Sequence, residues 1–219
     1  MGMKYASFHI PAVENSGVLQ QIIDNWEGND EFNEFSQSAL MKLVSPDEIK
    51  IYERMISAYK SVKYLLVTKR FISVYDETLS FETIVETVKK ISKKIDLPIL
   101  YTSNFDDDVF IMGVVQSGKT LCKRNIGPGL SSYELKQLSV KINTMLAIKG
   151  FELTGGQKEF LTTDDIDKCQ ESIDDAYGIS IALKESDFND YENMFELIKQ
   201  KNDLKVFAVG NGLDRSVNV

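Results

Sequence analysis

The chain has one histidine, one tryptophan, four prolines and two cysteines in 219 residues. With a single imidazole, any triad or metal site that needs histidine has only His9 to draw on. A zinc site would require His9, Cys122, Cys169 and a carboxylate to converge, with none of the close ligand spacing such sites use. A serine nucleophile would have to find the same His9 as its base, and no G-x-S-x-G string is present. The two cysteines lie far apart, so they read as free thiols rather than a disulfide framework.

Long apolar runs are also missing, and no stretch approaches the roughly 20 residues that span a bilayer. The start, MGMKYASFHIPAVENSG, turns polar too early for a secretory signal. Its Met1-Gly2 opening places Ala6 where a myristoylation motif wants Ser or Thr. A cytoplasmic protein with no membrane association is the expectation.

Positive charge is short as well. Lys and Arg number 25 against 33 Asp and Glu, for a net charge of −8. Residues 130–219 carry 16 acidic against 10 basic side chains, and residues 1–129 carry 17 against 15. This balance excludes nucleic acid as the expected partner and favours a protein partner with a basic surface.

What is present is ordinary globular patterning, with 43% hydrophobic and 26% charged residues, enough to build a core. Residues 3–10 alternate as a first strand, stopped by Pro11. Val18, Leu19, Ile22, Ile23 and Trp26 fall at helical spacing, and Gly28 ends that helix. Ser45-Pro46-Asp47-Glu48 is a capping box opening a helix with Ile49, Tyr52, Ile56 and Tyr59 on one face. Residues 64–67 and 71–75 are β-branched and aromatic and read as two strands. Ser80 caps a helix in which Phe81, Ile84, Val85, Val88, Ile91 and Ile95 recur at the 3.6 period, with four lysines near its end. A strand begins at Ile99, and residues 109–116 and 119–126 add a hairpin.

Gly127-Pro128-Gly129 cannot continue a helix or a ladder and marks a boundary. A second capping box from Ser131 to Glu134 opens a helix carrying Leu135, Leu138, Ile142, Met145, Leu146 and Ile148. Thr154-Gly155-Gly156 is a turn. Thr163 caps a helix with Ile166, Cys169, Ile173 and Ala176, stopped at Gly178. Residues 179–183, a helix with Phe188, Tyr191, Phe195 and Ile198, and residues 204–209 follow as strand, helix, strand.

The fold expected is α+β. Residues 1–127 would form an antiparallel sheet with helices on one face, a ferredoxin-like βαββαβ plus an added hairpin. Residues 130–219 would form a smaller helix-rich portion packed with it or beside it. Phe110, Met112 and Val114 are expected to pack under the Ser80 helix, facing Ile84, Val88 and Ile91.

One string resembles a functional motif. Residues 113–120, GVVQSGKT, match the phosphate-cradling G-x-x-x-x-G-K-[ST] pattern through Gly113, Gly118, Lys119 and Thr120. A phosphate loop needs a long helix from Gly118, but only a few residues precede Gly127-Pro128-Gly129. It also needs further parallel strands and an acid after an apolar strand, and neither is evident. The hairpin reading meets no such obstacle, because Ser117-Gly118 supplies a turn and the flanks alternate. The hairpin is preferred, with a nucleotide-binding enzyme as the alternative.

The other candidates have structural explanations. Asp106-Asp107-Asp108 lacks the spaced ligands of a calcium loop and reads as a turn. Asp164, Asp165 and Asp167 sit where a helix N-terminus favours negative charge. Gly127 to Ser132 could hold an anion at a helix start but reads as a linker into a cap. The run FISVYDE, a helix, then LPILYTSNFDDDVFIMGVVQSGK is similar to a pattern in uncharacterised bacterial proteins that carry no assigned activity. In that pattern, which covers residues 71–125, the GK position is a hairpin turn. No catalytic, metal or cofactor residue is assigned, and the function expected is a non-enzymatic binding or regulatory protein.

Overall fold

The structure, a computed structural model, describes residues 4–11, 63–68, 70–76, 79–128, 131, 141–153, 158–182 and 205–209. Among these, seven strands form one antiparallel sheet in the order β6-β5-β4-β1-β3-β2-β7. They are β1 (Lys4–Pro11), β2 (Lys63–Val67), β3 (Phe71–Asp76), β4 (Ile99–Phe105), β5 (Val109–Gln116), β6 (Lys119–Ile126) and β7 (Lys205–Val209). Two α-helices accompany them, α1 (Ile84–Ile95) and α2 (Ile166–Tyr177).

Strand side chains alternate between faces, and here both faces are covered. On one face Phe8 and Ile10 of β1, Val74 of β3, Ile99 and Tyr101 of β4, and Ile111 and Val115 of β5 pack with Ile84, Val88 and Ile95 of α1. Ile84 and Val88 are fully buried, each contributing about 1.5–3 kcal/mol of apolar burial. Thr83, not Ser80, is the N-cap of α1, and a reciprocal pair holds the turn that leads into the helix. Thr83 N–H donates to Ser80 Oγ at 3.3 Å, and Ser80 N–H donates to Thr83 Oγ1 at 2.9 Å. Asp96 ends the helix in the left-handed region, φ 50°, with Lys93 and Lys94 beside the exposed carbonyls.

On the opposite face Phe71, Leu100, Phe110, Met112, Val114 and Cys122 pack with Ile166, Cys169, Ile173 and Tyr177 of α2 and with Phe151 and Phe160. Tyr177 is the hub. Its ring lies 5.6 Å from Phe71, 5.7 Å from Phe151 and 5.8 Å from Phe160. Arg70 reaches over from the start of β3 and donates to the Ala176 carbonyl at 3.2 Å, covering the C-terminal end of α2.

Several expectations are corrected. Within residues 1–127 the described helix α1 lies on one face of the sheet, and α2, from the helix-rich portion, covers the other. Phe110, Met112 and Val114 face α2, and their neighbours Ile111 and Val115 face α1. Since β5 is apolar on both faces, its alternation could not say which set met which helix. Residues 179–182 are not a strand. Their backbone groups bond side chains instead: Ile181 N–H donates to Asp174 Oδ1, and the Ser180 and Ile181 carbonyls accept from Tyr75 and Ser7. Asp165, not Thr163, is the N-cap of α2, accepting from Lys168 N–H at 3.1 Å. Ile142–Ala147 is a 3-10 helix.

The helices expected around Trp26, after Ser45 and around Phe188, the start of the one opened by Ser131, and the turn at Gly155 lie outside the described residues.

Candidate functional site

Three groups of residues have chemistry to offer: the GVVQSGKT octet, a hydroxyl and imidazole cluster beneath α2, and the carboxylates of α2 itself.

The octet folds as strand, turn, strand. Ser117 and Gly118 both have positive φ, 49° and 76°, the mirror-image turn whose twist suits a two-residue hairpin. Gly113 lies in mid-strand, paired with Tyr101 and Lys123, and a Cβ there would strike the Tyr101 ring and the Cys122 carbonyl. Lys119 is the first, exposed residue of β6, and Thr120 is paired with Val115. The four motif residues are thus spread over a hairpin, with Gly113 in mid-strand, Gly118 in the turn, and Lys119 and Thr120 on the returning strand. The turn is fastened to α1. Gly118 N–H donates to Ser92 Oγ at 2.9 Å, and Ser117 Oγ bonds Asp96 Oδ1 at 2.5 Å. The Gly118 amide therefore serves the scaffold.

The second group runs across the middle of the sheet on the α2 face. Ser7 and His9 of β1 lie beside Thr102 of β4 and Ser73 of β3. Ser7 Oγ is 3.1 Å from His9 Nε2, 3.0 Å from Thr102 Oγ1 and 3.0 Å from the Ile181 carbonyl. His9 Nδ1 is 2.8 Å from Ser73 Oγ. The spacing looks like nucleophile, base and orienting group. The direction of the bonds is wrong for that chemistry. A carbonyl can only accept, so Ser7 gives its one proton to Ile181, and His9 Nε2 must donate to Ser7. An imidazole that donates to the hydroxyl cannot take its proton. Ser7 and His9 are also 0% exposed, out of reach of a substrate. Polar residues in a strand suggest a solvated face, so no local signal marks this row as covered by residues 180–181.

The thiols are equally withdrawn. Cys122 and Cys169 are free and buried. Burial pushes the Cys122 thiol up to about 11 and the Cys169 thiol up to about 12, the latter against a downward pull from Arg124. Neither forms a thiolate readily. Among the described residues no group of three or more His, Cys, Asp or Glu side chains is placed to hold a metal ion. Asp107 accepts from Asn104 Nδ2 at 3.0 Å within its turn, and Asp164 pairs with Arg124 at 3.0 Å.

The third group is exposed. Asp167, Glu171 and Asp175 follow one another at i, i+4 and i+8 on α2, all in solvent, with Asp164 and Asp165 just before. Lys168 leans to Asp165 at 3.7 Å. None of the three carboxylates along the stripe is ion-paired among the described residues. No helix among those residues is long and apolar enough to cross a membrane.

Comparison with known proteins found no matching family model, no matching curated protein and no matching solved structure.

Proposed function

We propose that the chain is a non-enzymatic binding or regulatory protein that engages a protein partner with a basic surface through the exposed carboxylates of α2. The observation that carries this reading is the stripe Asp167, Glu171, Asp175. Like charges at i, i+4 cost a helix about 0.2–0.5 kcal/mol per pair. The last turn of α2 has no basic residue, so Asp175 also opposes the helix macrodipole there. Helix stability accounts for Asp165 and Asp167 but not for Glu171 and Asp175, whose charge a basic partner would use.

The sealed His9 cluster and the fastened hairpin turn at Gly118 support a non-catalytic reading of those two groups. The fold that goes with this reading is a ferredoxin-like core extended by the β5–β6 hairpin, supported by the order β4-β1-β3-β2 at the heart of the sheet. A cytoplasmic location is supported by the two free thiols.

The experiment is affinity capture from native lysate by wild type and by an Asp167→Lys, Glu171→Lys, Asp175→Lys variant, at low and moderate salt. The reading expects a basic protein retained by wild type at low salt, released by moderate salt, and not retained by the variant. Equal retention by both proteins, or none by wild type, contradicts it.

A further inference from the structure

Three buried polar atoms beneath α2 have no hydrogen-bond partner among the described residues: Tyr5 Oη, Asn104 Oδ1 and Gln170 Nε2. Their residues are 7%, 2% and 8% exposed. Tyr5 and Asn104 face each other across β1 and β4. Such neighbours have Cβ atoms about 4.5–5.5 Å apart on one face of the sheet. That face is the one α2 covers, since Tyr5 belongs to the same cluster as Ile166, Cys169 and Ile173.

Gln170 is buried on α2 between Ile166 and Ile173, which belong to the same cluster as Tyr5. Asp167, Gln170 and Asp174 are spaced i, i+3 and i+7 and so share one flank of α2. Besides burial itself, Asp174, Cys169, Asp107 and Asp167 all raise the Tyr5 phenol. The groups on either side of Gln170 along its flank therefore both act on Tyr5. Asn104 is fixed from below, because its Nδ2 donates to Asp107 Oδ1 at 3.0 Å, which leaves Oδ1 directed away from the turn.

We propose that these three atoms hold one ordered water molecule, a binding site between the sheet and α2. The chemistry of the set selects it. Gln170 Nε2 can only donate, Asn104 Oδ1 can only accept, and the Tyr5 hydroxyl can do either. A water accepts from Gln170, donates to Asn104 and completes its third bond with Tyr5, the usual number for a buried water. An anion would find an acceptor at Asn104 and carboxylates at Asp107, Asp167 and Asp174. A cation, which offers no acceptor, would leave the Gln170 donor unmatched. A neutral molecule with one donor and one acceptor at a single centre fits all three.

The site has a structural consequence. It ties the first half of α2 to β1 and β4, as Ser7 ties the segment after α2 to the same strand.

The test is a crystal structure of the wild-type chain at a resolution that shows ordered solvent, together with nuclear Overhauser transfer from water to the Gln170 side-chain amide in solution. The expected result is one solvent peak within hydrogen-bond distance of all three atoms, and water transfer to that amide. Gln170→Leu should remove both the peak and one slowly exchanging water counted by oxygen-17 relaxation. A direct bond between Gln170 Nε2 and Asn104 Oδ1, a side chain occupying the position, or density larger than water would overturn the proposal.

Discussion

Ser7 Oγ donates to the carbonyl of Ile181 at 3.0 Å, across 174 residues of chain. This bond anchors the segment after α2 to the centre of the sheet and fixes the direction of the His9 bond beside it. Ser7→Ala removes the donor and leaves the Ile181 carbonyl without the Ser7 bond. It should cost about 1–3 kcal/mol, the desolvation penalty of a buried group left unmade. A chemical-denaturation midpoint equal to wild type would show that the bond contributes nothing.

The two faces of β5 give a sharper test of packing. Phe110 is fully buried on the α2 face, so Phe110→Ala should destabilise by about 3–5 kcal/mol. In double-mutant cycles Phe110 should couple to Ile173 by about 0.5–3 kcal/mol and be additive with Val88. Ile111 should show the reverse. Coupling of Phe110 to Val88 would restore the opposite register.

The thiols predict a loss of stability at alkaline pH. Burial raises Cys122 from its ordinary 9.0 to about 11, and Cys169 from 9.0 to about 12. Above pH 9 the unfolded chain releases these protons while the native state keeps them, so stability falls as pH rises. Their contribution is complete below about pH 9 and is lost as pH rises through 11 for Cys122 and 12 for Cys169. Urea midpoints measured upward from neutral pH should decline over that window. At about pH 8 a disulfide reagent should modify neither thiol until the chain unfolds. Fast stoichiometric modification of native protein would contradict the burial.

The hairpin turn separates backbone demand from side-chain chemistry. Gly118 has φ 76°, and a Cβ there would meet the Lys93 side chain. Gly118→Val should therefore cost at least about 1–2 kcal/mol from the left-handed conformation alone. Lys119→Ala, at an exposed strand start, should stay within about 0.5 kcal/mol of wild type. Thermal denaturation of the two variants should rank them in that order.

Much of the scaffold was legible because its signals are local. The 3.6 period of Ile84, Val88 and Ile95, the alternation in β1, and the β-branched and aromatic composition of β3 name their elements directly. The faces were not legible where both were apolar, as in β5. Residues 179–183 carry the composition of a strand, yet Asp174, Ser7 and Tyr75, all distant or helical, take up the backbone groups a ladder would have used. Ser7, Ser73 and Thr102 are small polar residues that a solvated strand would also carry. Only the roof above them makes them a buried network, and nothing local announces a roof. Asp164, Asp165 and Asp167 were legible as charge at a helix start, but the stripe Asp167, Glu171, Asp175 and its lack of ion pairs required the fold.

The central claim is that residues 113–120 are scaffold rather than a phosphate loop. Its most direct measurement is the melting temperature with and without Mg-ATP or Mg-GTP, since only a ligand that binds the native state raises it. With Lys119 exposed at the start of a strand and Gly118 N–H given to Ser92, the melting temperature should be unchanged by either nucleotide. A nucleotide-dependent rise in wild type that disappears in Lys119→Ala would contradict the account and return the octet to a phosphate-binding role.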